Sequence, residues 1–193
     1  MKHVNQFTWT KMFNDDECDD ICRFMDRQQV QKGRVLDNNK GSIKQFFTRN
    51  CDLSWVPLSV DSSWFFMRIQ KEVKDINDRW LQLQLDGQME DLQYLEYGFG
   101  QFYGKHTDNS NDAVATRKLT CVLQLSDPSD YVGGNLEIDS HTYLPNGNYV
   151  KAAPKSRGMA IIFPSHLPHV ARPIWWGRRK ALVSWFHGKQ PLR

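Results

Sequence analysis

From Asp91 onward the chain is a succession of short β-rich runs cut by turn residues, and this alternation constrains its fold more than any other feature. The runs are Leu92–Tyr97, Leu119–Leu125, Asn135–Ile138, Met159–Phe163, His169–Ile174 and Ala181–His187. Asp127-Pro128, Gly133-Gly134, Asn146-Gly147 and Trp176-Gly177 stand between them as turn signals. Short strands of this kind bury their apolar faces only by stacking as a sandwich or closing as a barrel, of which a jelly roll is one form. The first half reads differently. Asn14 is an N-cap followed by Asp15, Asp16 and Glu17, where a helix dipole favours anions, and Phe13, Ile21, Phe24 and Met25 extend a helical stripe to about Gln31. A second helix opens near Asp61 or Ser62, with Phe65, Ile69, Val73, Ile76 and Trp80 on one stripe and Trp64 and Trp80 as core anchors. Between the helices, Gln31–Ser42 reads as a polar loop and Ile43–Arg49 as extended. Helices first and strands afterwards predict the α+β class. The 193 residues suit one domain, with 1–90 mainly helical support and 91–188 the β core.

Several function classes fall away at this point. No apolar run approaches the ~18–20 residues needed to cross a bilayer. Met1–Gln6 has no hydrophobic stretch or cleavage pattern, and Cys18, Cys22, Cys51 and Cys121 lack paired zinc-ligand spacing. Free thiols and no leader predict a cytoplasmic protein, of a bacterium or a virus-infected host cell. Charge is uneven. Residues 1–150 hold 16 Lys/Arg and 22 Asp/Glu, whereas residues 151–193 hold nine Lys/Arg and no acid. A basic segment of this kind suits nucleic acid, a small anionic ligand or a solvated face.

The segment Tyr97-Gly98-Phe99-Gly100-Gln101-Phe102-Tyr103-Gly104-Lys105-His106-Thr107-Asp108 carries the chemistry. Its glycines fail the dinucleotide spacing, because Tyr103 occupies the third place and no βαβ pattern surrounds it. His106 and Asp108 are two apart, so on extended backbone an imidazole and a carboxylate converge on one side. Two histidines and one carboxylate on one face of an octahedron form the ligand set of non-haem Fe(II) oxygenases. His141, His166 and His169 compete for the distal place. Strand parity groups Arg179 with Ala181, Val183 and Trp185, and turns Arg178 and Lys180 to the other side. An inward guanidinium requires an anion. A dicarboxylate that chelates a metal at one end offers its other carboxylate there, in a bidentate pair.

Tyr97-x5-Tyr103-x2-His106-x-Asp108, then Gly133-Gly134-Asn135-Leu136, then His169-x7-Gly177-x-Arg179-x5-Trp185 resembles the 2-oxoglutarate- and Fe(II)-dependent dioxygenases of the prolyl 4-hydroxylase-like superfamily. The resemblance covers residues 43–188. Arg179, where animal collagen prolyl 4-hydroxylases carry Lys, is closer to the PKHD-type and oxygen-sensing branches. It implies a double-stranded β-helix, a distorted jelly roll, with the helices as support. It implies His106, Asp108 and His169 as the catalytic iron ligands and Arg179 on the distal carboxylate of 2-oxoglutarate. Tyr97 is implied to hydrogen-bond the co-substrate, Thr120 and Gln124 to lie on the co-substrate strand, and Trp185 to pack beside the metal pocket. Gln124 departs from the Tyr that some members have.

The cofactor set implied is Fe(II), with 2-oxoglutarate and O2 as co-substrates and ascorbate as an auxiliary reductant. The reaction implied is oxidative decarboxylation to succinate and CO2 coupled to hydroxylation of an unactivated C–H bond. Asp108 argues against halogenation, since halogenating relatives lack this carboxylate. Peptidyl proline is the substrate expected, with Gln31–Ser42 and Asn109–Thr116 as lid segments. The alternatives are a free amino acid or other small metabolite, and a non-catalytic jelly-roll binding module. Nucleic-acid dealkylation is disfavoured, because dealkylating relatives carry a further Arg where Trp185 stands. The partners expected are a protein, peptide or small-molecule substrate, without nucleic acid or membrane.

Overall fold

The computed structural model describes residues 5–27, 49–87, 89–109, 114–140 and 151–189. The Gln31–Ser42 loop, all of the Ile43–Arg49 run except Arg49, His141, the Asn146-Gly147 turn and positions 110–113 lie outside the described residues.

The chain opens with β1 (Thr8–Lys11) and α1 (Asp15–Arg27). Asn14 starts α1 through a reciprocal box: its Oδ1 accepts from the Glu17 N–H at 2.9 Å, and the Glu17 carboxylate accepts from the Asn14 N–H at 2.9 Å. The second helix, α2 (Ser63–Ile76), buries Phe65, Phe66, Ile69 and Val73 and runs into a wider π turn at Asn77–Leu81. Gln82 ends it in the left-handed region, at φ 53°. The Asn77 carboxamide locks that exit by bonding both the N–H and the carbonyl of Leu83, at 3.0 and 2.9 Å. The stripe read from the sequence is the one that packs. Trp64 departs from it: its edge meets Phe13 and Phe65, but 38% of the residue stays exposed.

The strands are β2 (Arg49–Asn50), β3 (Asp52–Val56), β4 (Leu92–Tyr97), β5 (Phe102–His106), β6 (Arg117–Gln124), β7 (Tyr131–Gly133), β8 (Leu136–Ile138), β9 (Met159–Pro164), β10 (His169–Ala171), β11 (Ile174–Gly177) and β12 (Arg179–His187). A six-stranded sheet has the order β1-β9-β6-β12-β4-β3, a second has β2-β5-β10-β8, and β11 pairs with β7. All these pairings are antiparallel. The result is a double-stranded β-helix with two cores. α1 and α2 close the outer face of the large sheet over Leu92, Tyr94, Leu123 and Leu182. Between the sheets, Leu95, Val122 and Val183 meet Leu136, Ile138 and Ala171.

Two details go beyond the sequence reading. Residues 1–90 carry α1 and α2 and also supply β1, β2 and β3, which complete both sheets. Each is short and only partly buried, so no run of apolar residues announces it. The run His169–Ile174 is two strands rather than one. Pro173, which has no N–H to give a ladder, separates β10 from β11. Among the described residues no helix is long and apolar enough to cross a membrane.

Candidate active site

β5 and β10 are neighbours in the smaller sheet, and their register places His106 directly opposite His169. The two rings lie 4.1 Å apart between centroids. Asp108 is not on extended backbone, as its spacing from His106 suggests. It stands in the turn just after β5, where its N–H donates to the Ser165 carbonyl at 2.9 Å. That bond ties the turn to the end of β9 and swings the carboxylate between the imidazoles. His106 Nε2 is 3.4 Å from one Asp108 oxygen, and His169 Nε2 is 3.6 Å from the other.

Each histidine is fixed from behind. His106 Nδ1 lies 2.8 Å from the Gly104 carbonyl, and His169 Nδ1 lies 3.0 Å from the Leu167 carbonyl. A carbonyl only accepts, so each Nδ1 carries a proton, and Nε2 is the nitrogen that each ring turns to the shared space. Tyr103 stacks flat on His106, at 3.5 Å and 13°. Burial opposes the charge on Asp108. His169, His106 and the Thr120 hydroxyl outweigh it and hold the carboxyl well below the usual carboxylate range. Burial lowers His169 below its ordinary value against the opposing pull of Asp108, which favours the neutral, ligating form. The potential donor atoms all lie within 4.8 Å of one another. Two imidazole nitrogens and one carboxylate fit Fe(II) with positions left open.

The triad opens on a cavity walled by residues of β2, β4, β5, β6, β8, β10 and β12. Residues Arg179, Ala181, Val183 and Trp185 of β12 line it, as parity requires. Arg179 is 2% exposed, and its Nε and Nη2 both donate to Gln124 Oε1, at 3.1 and 2.9 Å. Gln124 thus orients the guanidinium, a task the sequence gives no hint of. Arg178 turns outward toward Glu96 at 3.6 Å, with a side chain 67% exposed. Gly133 and Gly134 have φ of +87° and +62°, and a Cβ on Gly134 would lie 2.4 Å from Ile174 and 3.2 Å from Arg179. The glycine pair lets this loop close over the base of the arginine.

The other candidates fall as follows. Tyr97 is buried, lines the cavity and sits under Arg179, 5.4 Å from ring to guanidinium. Thr120 also lines the cavity, but its hydroxyl donates to Asp108 Oδ2 at 2.7 Å, so it positions the carboxylate. Trp185 is stacked by Arg117 at 3.9 Å, and its buried indole N–H has no partner among the described residues. His166 is half-buried and outside the triad. Two polar cavity residues escaped the sequence reading, Arg49 and Gln93. Gln93 was findable, since it shares parity with Leu95 and Tyr97 on β4. Arg49 was not, because only the pairing of β2 with Tyr103 brings it in.

Residues 92–187 match the family model described as the 2OG-Fe(II) oxygenase superfamily. Among curated relatives, a PKHD-type hydroxylase of Sphingopyxis alaskensis is 29% identical over 133 residues, 59% of this chain and 58% of that protein. A PKHD-type hydroxylase of Colwellia psychrerythraea is 31% identical over 99 residues, 50% of this chain and 42% of that protein. The chain spans about half the length of these relatives. Among solved structures, a Pseudomonas putida prolyl-4-hydroxylase matches at TM-score 0.69 with 20% identity, over 97% of this chain and 94% of that one. A Trichoplax adhaerens prolyl hydroxylase, solved with a hypoxia inducible factor oxygen degradation domain peptide fragment, matches at 0.73 with 18% identity, over 95% and 84%. At these identities the likeness is one of fold.

Proposed function

We propose, from the premise that this chain belongs to the 2OG-Fe(II) oxygenase superfamily, that it is a hydroxylase of an unactivated C–H bond, with Fe(II) as cofactor and 2-oxoglutarate and O2 as co-substrates. The observation that carries this reading is that His106, Asp108 and His169 open on the same cavity as the buried Arg179. In it, the Nε2 atoms of both histidines and the Asp108 carboxylate hold the metal. Thr120 and the Gly104 and Leu167 carbonyls keep these donors aimed. Arg179, steadied by Gln124, takes the distal carboxylate of 2-oxoglutarate, and Tyr97 borders that end of the cavity. When bound, the metal with 2-oxoglutarate and O2 supplies the decarboxylation that yields succinate and CO2 and places one oxygen atom on the substrate. Trp185 and the apolar wall of Leu95, Val122 and Val183 keep bulk water from the reacting atoms.

Peptidyl proline is the substrate class favoured by the prolyl hydroxylase folds this chain resembles. A free amino acid or other small metabolite is the second reading, favoured by the polar pair Arg49 and Gln93 in the cavity. Ascorbate belongs to the reading as a reductant that keeps the metal ferrous. A reducing, cytoplasmic setting suits the four free thiols. The test is anaerobic loading with Fe(II) and 2-oxoglutarate, addition of a peptide and metabolite library, then O2. Succinate together with a product one oxygen atom heavier is expected. Metal and 2-oxoglutarate binding without any succinate would identify a binding module instead.

A further inference from the structure

The cavity holds two arginines, and the proposed reaction uses one. Arg49, on β2, lines the same cavity as the triad and Arg179. Its Nη2 donates to Gln93 Oε1 at 2.7 Å, its Nε donates to Cys51 Sγ at 3.1 Å, and its guanidinium lies 4.4 Å over the Tyr103 ring. Tyr103 is in turn the ring stacked on His106, so Arg49 is the outer layer of a stack that ends at the metal ligands. None of these neighbours is a carboxylate, and no ion pair to Arg49 exists among the described residues. Arg179 shows the same pattern, with a glutamine carbonyl holding the fork and no carboxylate paired with it among the described residues. Arg49 is half-buried and Arg179 buried, and a guanidinium drawn from water without a carboxylate beside it is costly until an anion arrives.

Charge identifies which anion. The metal brings two positive charges and the arginines one each, while Asp108 and the two carboxylates of 2-oxoglutarate bring three negative ones. One positive charge remains. One carboxylate of the co-substrate would be taken up by the metal, which leaves the other for a single arginine. Arg179 lies at the start of β12 beside Tyr97, whereas Arg49 lies beside Gln93 and Tyr103, the ring stacked on His106.

We propose that Arg49, oriented by Gln93, binds a carboxylate of the primary substrate and so selects an acidic molecule whose reacting carbon lies close to that carboxylate. This deepens the hydroxylase reading and rests on it. A planar fork fixed at two nitrogens positions a carboxylate more sharply than a lysine would. The unpartnered Trp185 N–H supplies a further donor on the same cavity wall. The carboxylate has two sources, a free acid such as an amino acid, or an acidic side chain or C-terminus of a peptide.

The test is anaerobic calorimetry on protein loaded with Fe(II) and 2-oxoglutarate. One arm titrates the free proteinogenic amino acids and simple dicarboxylic acids against their carboxamides. The other titrates proline peptides flanked by Glu against the same peptides with Gln, and free against amidated C-termini. At least one acid is expected to bind tenfold or more tightly than its amide, and the arm in which it appears names the source. Arg49→Met should abolish that preference while leaving 2-oxoglutarate binding within about threefold; Arg179→Met should lose 2-oxoglutarate. Arg49→Lys should keep part of the preference. The proposal is overturned if no acid outbinds its amide in the wild-type protein, if Arg49→Met keeps the preference, or if Arg49→Met is the variant that loses 2-oxoglutarate. Failure of the wild-type protein to bind 2-oxoglutarate at all would instead overturn the hydroxylase reading beneath it.

Discussion

On β12, Leu182 and Phe186 point toward α1 and α2, whereas Arg179, Ala181, Val183 and Trp185 point into the cavity. β6 repeats the division, with Leu119, Cys121 and Leu123 outside and Thr120, Val122 and Gln124 inside. The helix-facing side is dry: Leu119, Leu123 and Leu182 are at most 1% exposed, and burial pushes the Cys121 thiol up to about 12. The cavity-facing side carries a guanidinium, a carboxamide, a hydroxyl and an indole on strands just as deeply buried. Period-two alternation makes this possible, because polar chemistry occupies every second position without entering the helix-packed core. A slip of β12 by one residue would bring Leu182 into the cavity and Arg179 against the helices, so the outer apolar face also fixes the register that aims the arginine.

The strongest way to break this comparison is Asp108→Ala. It removes a proposed metal ligand and one partner of the Thr120 hydroxyl, and leaves the helix-packed core untouched. Iron binding should be lost and hydroxylation should fall by roughly a thousandfold or more, about 4 kcal/mol in barrier terms. The melting temperature of the metal-free protein should move by about 3 °C or less, because the buried charge that burial disfavours is gone too. His166→Ala, outside the triad, should retain iron. A variant that loses iron with His166 and keeps it without His169 would reassign the distal ligand.

The converse experiment is Leu182→Ala, on the same strand and the opposite face. Leu182 is 1% exposed in the helix-packed core, so truncation should cost about 2–5 kcal/mol of stability. For a chain of this size that is a fall in melting temperature of roughly 5–15 °C. Iron and 2-oxoglutarate affinities of the folded fraction should stay within about twofold. Loss of affinity in proportion to stability would mean that the two faces are coupled, and that the dry face does more than hold the register.

Most of this was legible in the sequence, because alternation and helical spacing are local. Leu92–Tyr97 appears as read, and the Asn14 box and the Phe65–Ile69–Val73 stripe start and bury the two helices as their residues dictate. Parity alone turned Arg179 inward and Arg178 outward. What could not be read depends on contacts between segments far apart in the chain. β1 pairs with β9, about 150 residues away, and nothing in Thr8–Lys11 is apolar enough to announce it. The carboxylate of Asp108 reaches the histidines through a turn tied to Ser165, not through strand alternation. Arg49 enters the cavity through register with Tyr103, and no local pattern marks an arginine whose partners are a glutamine on β4 and a ring on β5. Gln124, a departure when compared with a family pattern, is the partner that orients Arg179.

The smallest expected effect sharpens the comparison most finely, since it separates adjacent residues of one strand. Arg179→Lys keeps the charge but removes the planar fork, and a lysine has one nitrogen where two now meet Gln124. The apparent KM for 2-oxoglutarate should rise by about tenfold, roughly 1.4 kcal/mol of binding, while kcat falls less, because the loss is of co-substrate binding rather than of the metal. Arg178→Ala removes an exposed charge whose partner is Glu96 at 3.6 Å. An exposed pair of this kind contributes about 0–1 kcal/mol, so stability should barely move and the KM for 2-oxoglutarate should stay within about twofold. Measured side by side, the two variants test whether function follows parity. Equal damage from both would mean that charge near this end of β12, and not the direction in which a side chain leaves the strand, governs the co-substrate.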